Sequence, residues 1–89
     1  MMESLLVSEV MEKLRSEFQG DEEAYRVLEG IIRECIRAHI NDTRFVSLIK
    51  GAIVHGGVVQ LGRILAKYGC FTAVVPAERL ESFLRRVLE

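Results

Sequence analysis

The sequence has little cysteine and almost no net charge, and each scarcity argues against a class of small protein. Cys35 and Cys70 are the only cysteines among 89 residues. Two are too few for the disulfide framework of small secreted domains, so we expect both to be buried thiols in a reducing compartment. The net charge is −1 and the isoelectric point is about 6.1. The composition as a whole therefore provides no electrostatic attraction to nucleic acid or to an anionic membrane.

The sequence also lacks the patterns that direct a chain to or through a membrane. At the N-terminus no basic segment is followed by a long apolar run, and Glu3 lies where that run would be. The most apolar stretch, residues 45–75, is interrupted by His55, Arg63 and Lys67. A spanning helix needs about 20 mostly apolar residues. We therefore expect a cytoplasmic protein without a transmembrane segment, in which this stretch is buried within protein.

Apolar residues are abundant, at 49 % of the chain, with a mean hydropathy of +0.19. The length predicts one helical domain, residues 1–89. A domain of this size buries only about 60–65 % of the surface that its unfolded chain exposes. Because so small a core leaves many apolar side chains uncovered, the composition predicts a homodimer or a face that binds another protein.

Charge is distributed unevenly along the chain. Residues 1–30 contain eight acidic and three basic residues, whereas residues 31–89 contain five acidic and nine basic residues. The asymmetry predicts that an acidic first half packs on a basic second half, either within one chain or between two chains.

The spacing of apolar residues predicts an all-α fold, a small bundle of four to five helices around the apolar stretch at residues 45–75. Asp21 and Asn41 to Thr43 are suited to begin helices, and Gly20 and Gly69 are suited to end them. Residues 70–75 are predicted to continue a helix or to form an extended connector. The first predicted helix spans residues 4–18 and the second follows Asp21 and includes Ile40. The third begins near residues 41–43 and reaches residues 55–57, the fourth spans about residues 58–68, and the last begins at Pro76. The apolar residues of the first predicted helix, which form one inward stripe, are Leu5, Leu6, Val7, Val10, Met11, Leu14 and Phe18.

Small residues mark two features of the apolar stretch. A kink or a break is predicted at residues 55–57, because Gly56 and Gly57 each cost about 1 kcal/mol relative to alanine inside a helix. A turn between two helices is favoured over a hinge. Ala52 with Gly56, and Gly62 with Ala66, are spaced four apart and would let a second backbone approach closely.

Four side chains are of the kind that bind soft metal ions. Cys35 and His39 lie one turn apart on a predicted helix, so both could reach one zinc ion. His55 and Cys70 are isolated, without the paired spacing of zinc modules. The pattern favours buried thiols and partly exposed histidines, so no metal and no cofactor are predicted.

Arg33 and His39 form an Arg-x5-His pattern that resembles the motif of helical nucleases with an arginine and a histidine at a dimer interface. The resemblance implies that His39 acts as acid or base and that Arg33 holds a phosphate. A helix-terminal histidine and a solvated arginine explain the same pattern, and we favour that interpretation. A helical nuclease remains an alternative.

A helix-turn-helix would use residues 59–68 and a recognition helix at residues 76–88, with Arg79, Arg85 and Arg86 near phosphates. The connector is longer than the usual turn of about three or four residues. Glutamates on the second helix would also repel DNA. A small DNA-binding regulator is therefore a less favoured alternative.

One set of residues within positions 44–71 comprises Arg44 with Phe45, Gly57 with Val58, the run at residues 61–66 and Phe71. Together they resemble the first homology region of the B-cell-lymphoma-type apoptosis regulators. In that family a Gly-Arg pair, matched here by Gly62 and Arg63, begins a central hydrophobic helix. The resemblance implies that Arg63 pairs with an aspartate of a bound amphipathic helix, in a groove lined by flanking apolar residues.

These patterns favour a non-enzymatic helical module for protein–protein interaction or oligomerisation. Its partner would be a second copy or another helical protein, and no catalytic residues and no small-molecule substrate are predicted. The predicted partner-binding residues are Phe45, Leu48, Ala52, Gly56, Val58, Gly62, Arg63 and Ile64, of which Phe45, Leu48, Val58 and Ile64 would line the groove.

Overall fold

The computed structural model describes residues 2–71 and 78–88, and in this part of the chain it contains helices and no strands. The all-α prediction is therefore confirmed for the described residues. The prediction for residues 70–75 lies largely outside them: Cys70 and Phe71 form a turn, and residues 72–75 are not described. The helices are α1 (Met2–Leu14), a 3₁₀ turn (Arg15–Phe18), α2 (Glu22–His39), α3 (Thr43–His55), α4 (Val58–Lys67) and α5 (Glu78–Leu88).

Two aspartates begin helices by bonding to free amides of the first turn. The Asp21 side chain accepts a hydrogen bond from the Ala24 amide at 3.1 Å. The Asp42 side chain accepts hydrogen bonds from the amides of Arg44 at 3.0 Å and Phe45 at 3.2 Å. Such caps typically stabilise a helix by about 1 kcal/mol, so these starts are local properties of the sequence.

Gly69 ends α4 as predicted. Its φ of +79° is a left-handed conformation that glycine adopts without a steric penalty. The Gly69 amide donates to the Ala66 carbonyl, and the Cys70 amide donates to the Leu65 carbonyl, each at 3.0 Å. This pair of bonds is a Schellman motif, which turns the chain sharply after the helix.

The predicted break at Gly56 and Gly57 is confirmed. Both residues are extended, with φ of −99° and ψ near 180°, so α3 ends at His55 and α4 begins at Val58. The Gly56 amide still donates to the Ala52 carbonyl at 2.9 Å.

Side chains from every helix meet in one buried cluster. Leu5 departs from the predicted inward stripe, because Leu6, Val7 and Val10 face the core and the helical rotation turns Leu5 outward. The largest fully buried side chains include Phe18, Phe45, Phe83, Leu28, Ile36 and Leu61.

The expectation of two free thiols is wrong for this structure. Cys35 and Cys70 are joined in a disulfide, with their Cα atoms 5.3 Å apart. The Schellman turn after α4 brings Cys70 back to the last turns of α2, where Cys35 lies. The expectation of burial is confirmed, since the two residues are 8 % and 7 % exposed.

The acidic first half does pack on the basic second half within the chain. Glu3 of α1 pairs with Arg37 of α2 at 3.4 Å, and Glu17 of the 3₁₀ turn pairs with Arg86 of α5. None of the described helices is both long enough and apolar enough to cross a membrane.

Candidate functional site

The exposed apolar side chains are concentrated on α1 and α3. Among the described residues the exposed large apolar side chains are Met2 (48 % exposed), Leu5 (62 %), Val54 (70 %) and Leu88 (67 %). Met2 and Leu5 belong to α1, Val54 belongs to α3, and Leu88 lies apart at the end of α5.

Helices α1 and α3 lie side by side and run in the same direction. At one end of their seam, Met2 lines a groove of about 380 Å³ with Thr43, Val46 and Lys50 of α3. At the other end, Lys13 donates a hydrogen bond from its ammonium group to the Ile53 carbonyl at 3.1 Å. Glu9 and Glu12 line a second groove of about 350 Å³ beside these two residues.

We call this surface the α1–α3 face. Glu9 and Glu12 are exposed on α1, whereas α3 contains no acidic residue and exposes Lys50. Lys13 of α1 is half-buried, with its ammonium group bonded to the Ile53 carbonyl, and Arg15 just after α1 pairs with Glu12 at 3.5 Å. The face comprises Met2, Leu5, Glu9, Glu12 and Lys13 of α1 with Val46, Ser47, Lys50, Ile53 and Val54 of α3.

Most of the predicted partner-binding residues contact the chain's own core. Phe45, Ala52 and Gly62 are buried. Gly62 does allow a close approach, but the approaching helix is α5 of the same chain: a Cβ added to Gly62 would lie 2.5 Å from Val87 and 3.0 Å from Phe83.

The remaining predicted residues are partly accessible. Leu48, Gly56, Val58 and Ile64 are half-buried. Arg63 is exposed, and its Nε donates to the Val87 carbonyl at 3.3 Å near the end of α5. An arginine is a favourable neighbour for the carbonyl groups of a helix C-terminus.

None of the eight predicted residues belongs to the α1–α3 face. Sequence reasoning missed Met2 and Val54 and assigned Leu5 to the core. A signal for Val54 was present, because a helical periodicity that buries Phe45, Ile49 and Ala52 turns Val54 to the opposite side.

Arg33 and His39 are separately engaged. Arg33 pairs with Glu29 at 3.2 Å on the exposed side of α2. The His39 ring lies against Phe45 and Tyr68, with centroids 5.2 Å and 5.3 Å away, and its Nε2 is 3.1 Å from the Tyr68 carbonyl. Through these contacts His39, the last residue of α2, packs against the end of α4.

The four soft ligands do not converge on one point. Cys35 and Cys70 are bonded to each other, and His55 is exposed at the end of α3. The described residues include no cluster of three or more histidine, cysteine or acidic side chains that could hold a metal ion.

A further groove, of about 550 Å³, lies between α2 and the end of α4. Its lining is mainly apolar, and its acidic residue Glu34 already pairs with Arg37 at 3.3 Å. None of the eight predicted partner-binding residues lines this groove. It is lined by Val27, Gly30, Ile31, Glu34, Cys35, Ala38, His39, Tyr68, Gly69 and Cys70.

Tyr25 connects α2 to the end of α1. Its hydroxyl donates to the Met11 carbonyl at 2.9 Å, and the Arg15 guanidinium lies 5.0 Å from the ring centroid. Burial raises the pKa of Tyr25 above its ordinary value of 10.0, and nearby Arg15 opposes that rise. The contact joins α2 to the end of α1, so its role is structural.

The described fold defines a small all-α protein with one core, a disulfide between α2 and the end of α4, and an apolar, charge-segregated face on α1 and α3. Comparisons with protein-family models, with curated proteins and with solved structures find no match to this chain.

Proposed function

We propose that the protein is a non-enzymatic oligomerisation module that associates with a second copy of itself through the α1–α3 face. The observation that carries the proposal is the exposure of Met2, Leu5 and Val54 on two adjacent helices. Apolar surface that is exposed on adjacent elements is typical of interaction sites. Here it runs along the seam, from Met2 beside Val46 at one end to Val54, next to Ile53, at the other.

Energetics favour covering this face. Burying a large apolar side chain stabilises a contact by about 1.5–3 kcal/mol, and a symmetric dimer makes each such contact twice. Part of this gain offsets the translational and rotational entropy that the two chains lose on association and the conformational entropy that their ordered side chains lose. The resulting association is expected to be concentration-dependent.

The molar mass in solution tests the proposal. Light scattering over a hundredfold concentration range should show a mass that rises towards twice the 10.1 kDa chain mass. The variant Leu5→Glu with Val54→Glu should remain a monomer over the range in which the wild type associates, because charged side chains would be buried in the interface.

Leu88→Glu is the matched control, since Leu88 is equally exposed but lies on α5. It should associate like the wild type. A wild-type mass of 10.1 kDa at every concentration would contradict self-association.

The second candidate is a module that grips an amphipathic helix of another protein, as the resemblance to the apoptosis regulators implies. Arg63 supports it, because this side chain is exposed on α4, one position from the half-buried Ile64. An acidic residue of a bound helix would have to compete with the Val87 carbonyl for the guanidinium. A monomeric wild type would favour this candidate.

A cytoplasmic location remains part of the proposal and has a consequence for the disulfide. Cytosolic thiols are normally kept reduced. Within the cytoplasm Cys35 and Cys70 would be thiols most of the time, and the contact of His39 Nε2 with the Tyr68 carbonyl would still join α2 to the end of α4.

A further inference from the structure

The pattern of charge on the α1–α3 face limits how two copies can meet. Glu9 and Glu12 are exposed on α1 and Lys50 is exposed on α3. The one cation of α1, Lys13, is half-buried and its ammonium group is bonded to the Ile53 carbonyl of the same chain. If α1 of one copy lay on α1 of the other, carboxylates would face carboxylates, and α3 on α3 would bring cations together. Like charges across an interface oppose association.

The crossed arrangement brings the exposed carboxylates of α1 opposite the exposed Lys50 of α3. We infer that two copies pack about a two-fold axis parallel to the seam, so that α1 of each copy lies on α3 of the other. The inference rests on the proposed self-association and specifies its geometry and its partner, a second copy of this chain. A two-fold contact of this kind uses the same surface on both copies and repeats every pair of contacts.

The axial alignment of the helices identifies the main charge pair. Within one chain Lys13 lies level with Ile53, and Met2 lies level with the first turns of α3. Because both helices rise about 1.5 Å per residue, Glu9 is level with Ile49 and therefore within about 1.5 Å of the level of Lys50. A rotation about an axis parallel to the helices preserves these levels. Glu9 of each copy therefore faces Lys50 of the other.

The same alignment places apolar surface beside this pair. Leu5 is one turn before Glu9 and comes within about 1.5 Å of the level of Val46 of the other copy. The apolar contacts supply the driving force, and the charge pairs select the crossed arrangement.

Charge reversal tests the geometry separately from self-association. Glu9→Lys alone and Lys50→Glu alone should each weaken the homodimer about tenfold, because two like-charge contacts replace two opposite-charge contacts. A one-to-one mixture of the two variants should form a heterodimer with an affinity close to that of the wild-type homodimer. The variant with both substitutions should likewise associate as the wild type does.

Glu81→Lys and Arg85→Glu on α5 are the controls, because they change the net charge equally at exposed positions outside the face. Neither should alter the wild-type dissociation constant, and their mixture should show no preference for the heterodimer. Circular dichroism of each variant should show the helicity of the wild type.

The outcomes separate the two proposals. If the wild type associates but the mixture of Glu9→Lys and Lys50→Glu gains no affinity over either variant, the crossed geometry is wrong and self-association stands. If the double variant remains weak, the pairing of Glu9 with Lys50 is wrong as well. If the wild type is monomeric throughout, both proposals fail together.

Discussion

Gly51 and Gly62 are both glycines inside helices, yet their surroundings differ completely. Gly62 of α4 lies against Val87 and Phe83, whereas Gly51 of α3 faces open space. The spacing of Gly62 and Ala66 indicated a close approach at Gly62, but it did not indicate that α5 of the same chain makes that approach. Substituting alanine at each position therefore compares the cost of crowding at a close helix contact with the gain from the higher helix propensity of alanine.

We expect Gly62→Ala to destabilise the protein by about 1–3 kcal/mol, because the new methyl group forces α5 away. Gly51→Ala should stabilise the monomer by about 0.5–1 kcal/mol through helix propensity alone. Urea unfolding checks both, at a protein concentration low enough to exclude association. A Gly62→Ala variant as stable as the wild type would contradict the tight contact with Val87.

Tyr25 makes a prediction about pH. Tyr25→Phe should cost about 1 kcal/mol at neutral pH, because the Met11 carbonyl loses its hydrogen-bond donor. The raised pKa of Tyr25 means that, above pH 10.0, the unfolded chain loses this proton before the folded chain does. The stability contributed by Tyr25 is therefore fully present below that pH and falls above it.

The stability difference between wild type and Tyr25→Phe should accordingly shrink as the pH rises beyond 10.0. Urea unfolding of both proteins at neutral pH and in alkaline buffer measures it, and titrating groups that the two proteins share cancel in the difference. A constant difference would show that the phenol proton is equally easy to remove in the folded and unfolded states.

At the scale of the elements, the disulfide joins α2 to the turn after α4 and encloses α3 and α4. The two cysteines are separated by 35 positions in the chain. Closing a loop of this length restricts the unfolded chain by about 3–4 kcal/mol in the chain-entropy description.

Reduction with a dithiol should therefore lower the urea midpoint of the wild type by an amount equivalent to about 3–4 kcal/mol. The double variant Cys35→Ala and Cys70→Ala should show one midpoint with and without reductant. Alkylation and mass measurement establish that both thiols are free. An unchanged wild-type midpoint after verified reduction would contradict a stabilising role for the bond.

The sequence predicted the helix boundaries best, because the residues that fix each boundary lie within a few positions of it. Asp21 and Asp42 bond to amides two or three positions away, and Gly69 supplies a left-handed residue where α4 ends. The predicted first helix was less accurate, since its last turn, Arg15–Phe18, is a 3₁₀ turn. Glu17 and Phe18 there contact α5, which local spacing does not reveal.

Over the whole molecule, charge segregation contributes little to stability and more to the selection of one arrangement of the helices. The pairs Glu3–Arg37 and Glu17–Arg86 join the two halves, but exposed ion pairs typically contribute only about 0–1 kcal/mol. What they do is favour one packing of the acidic segment on the basic segment. On the α1–α3 face the proposed crossed pairing between two chains follows the same logic.

The sequence by itself determined the all-α class, the breaks at Gly20, Gly56 and Gly69, and an excess of apolar side chains for so short a chain. These properties depend on residue preferences and on spacings shorter than two helical turns, so they can be read without knowing the packing.

Only the tertiary structure decided the pairing of Cys35 with Cys70, the contact of Gly62 with α5, and the exposure of Leu5 and Val54. Each depends on how helices far apart in the chain lie against one another. For that reason the predicted partner-binding residues fell largely on the stretch with the greatest apolar content. The core buries much of that stretch, and the exposed apolar surface lies instead along the seam of α1 and α3.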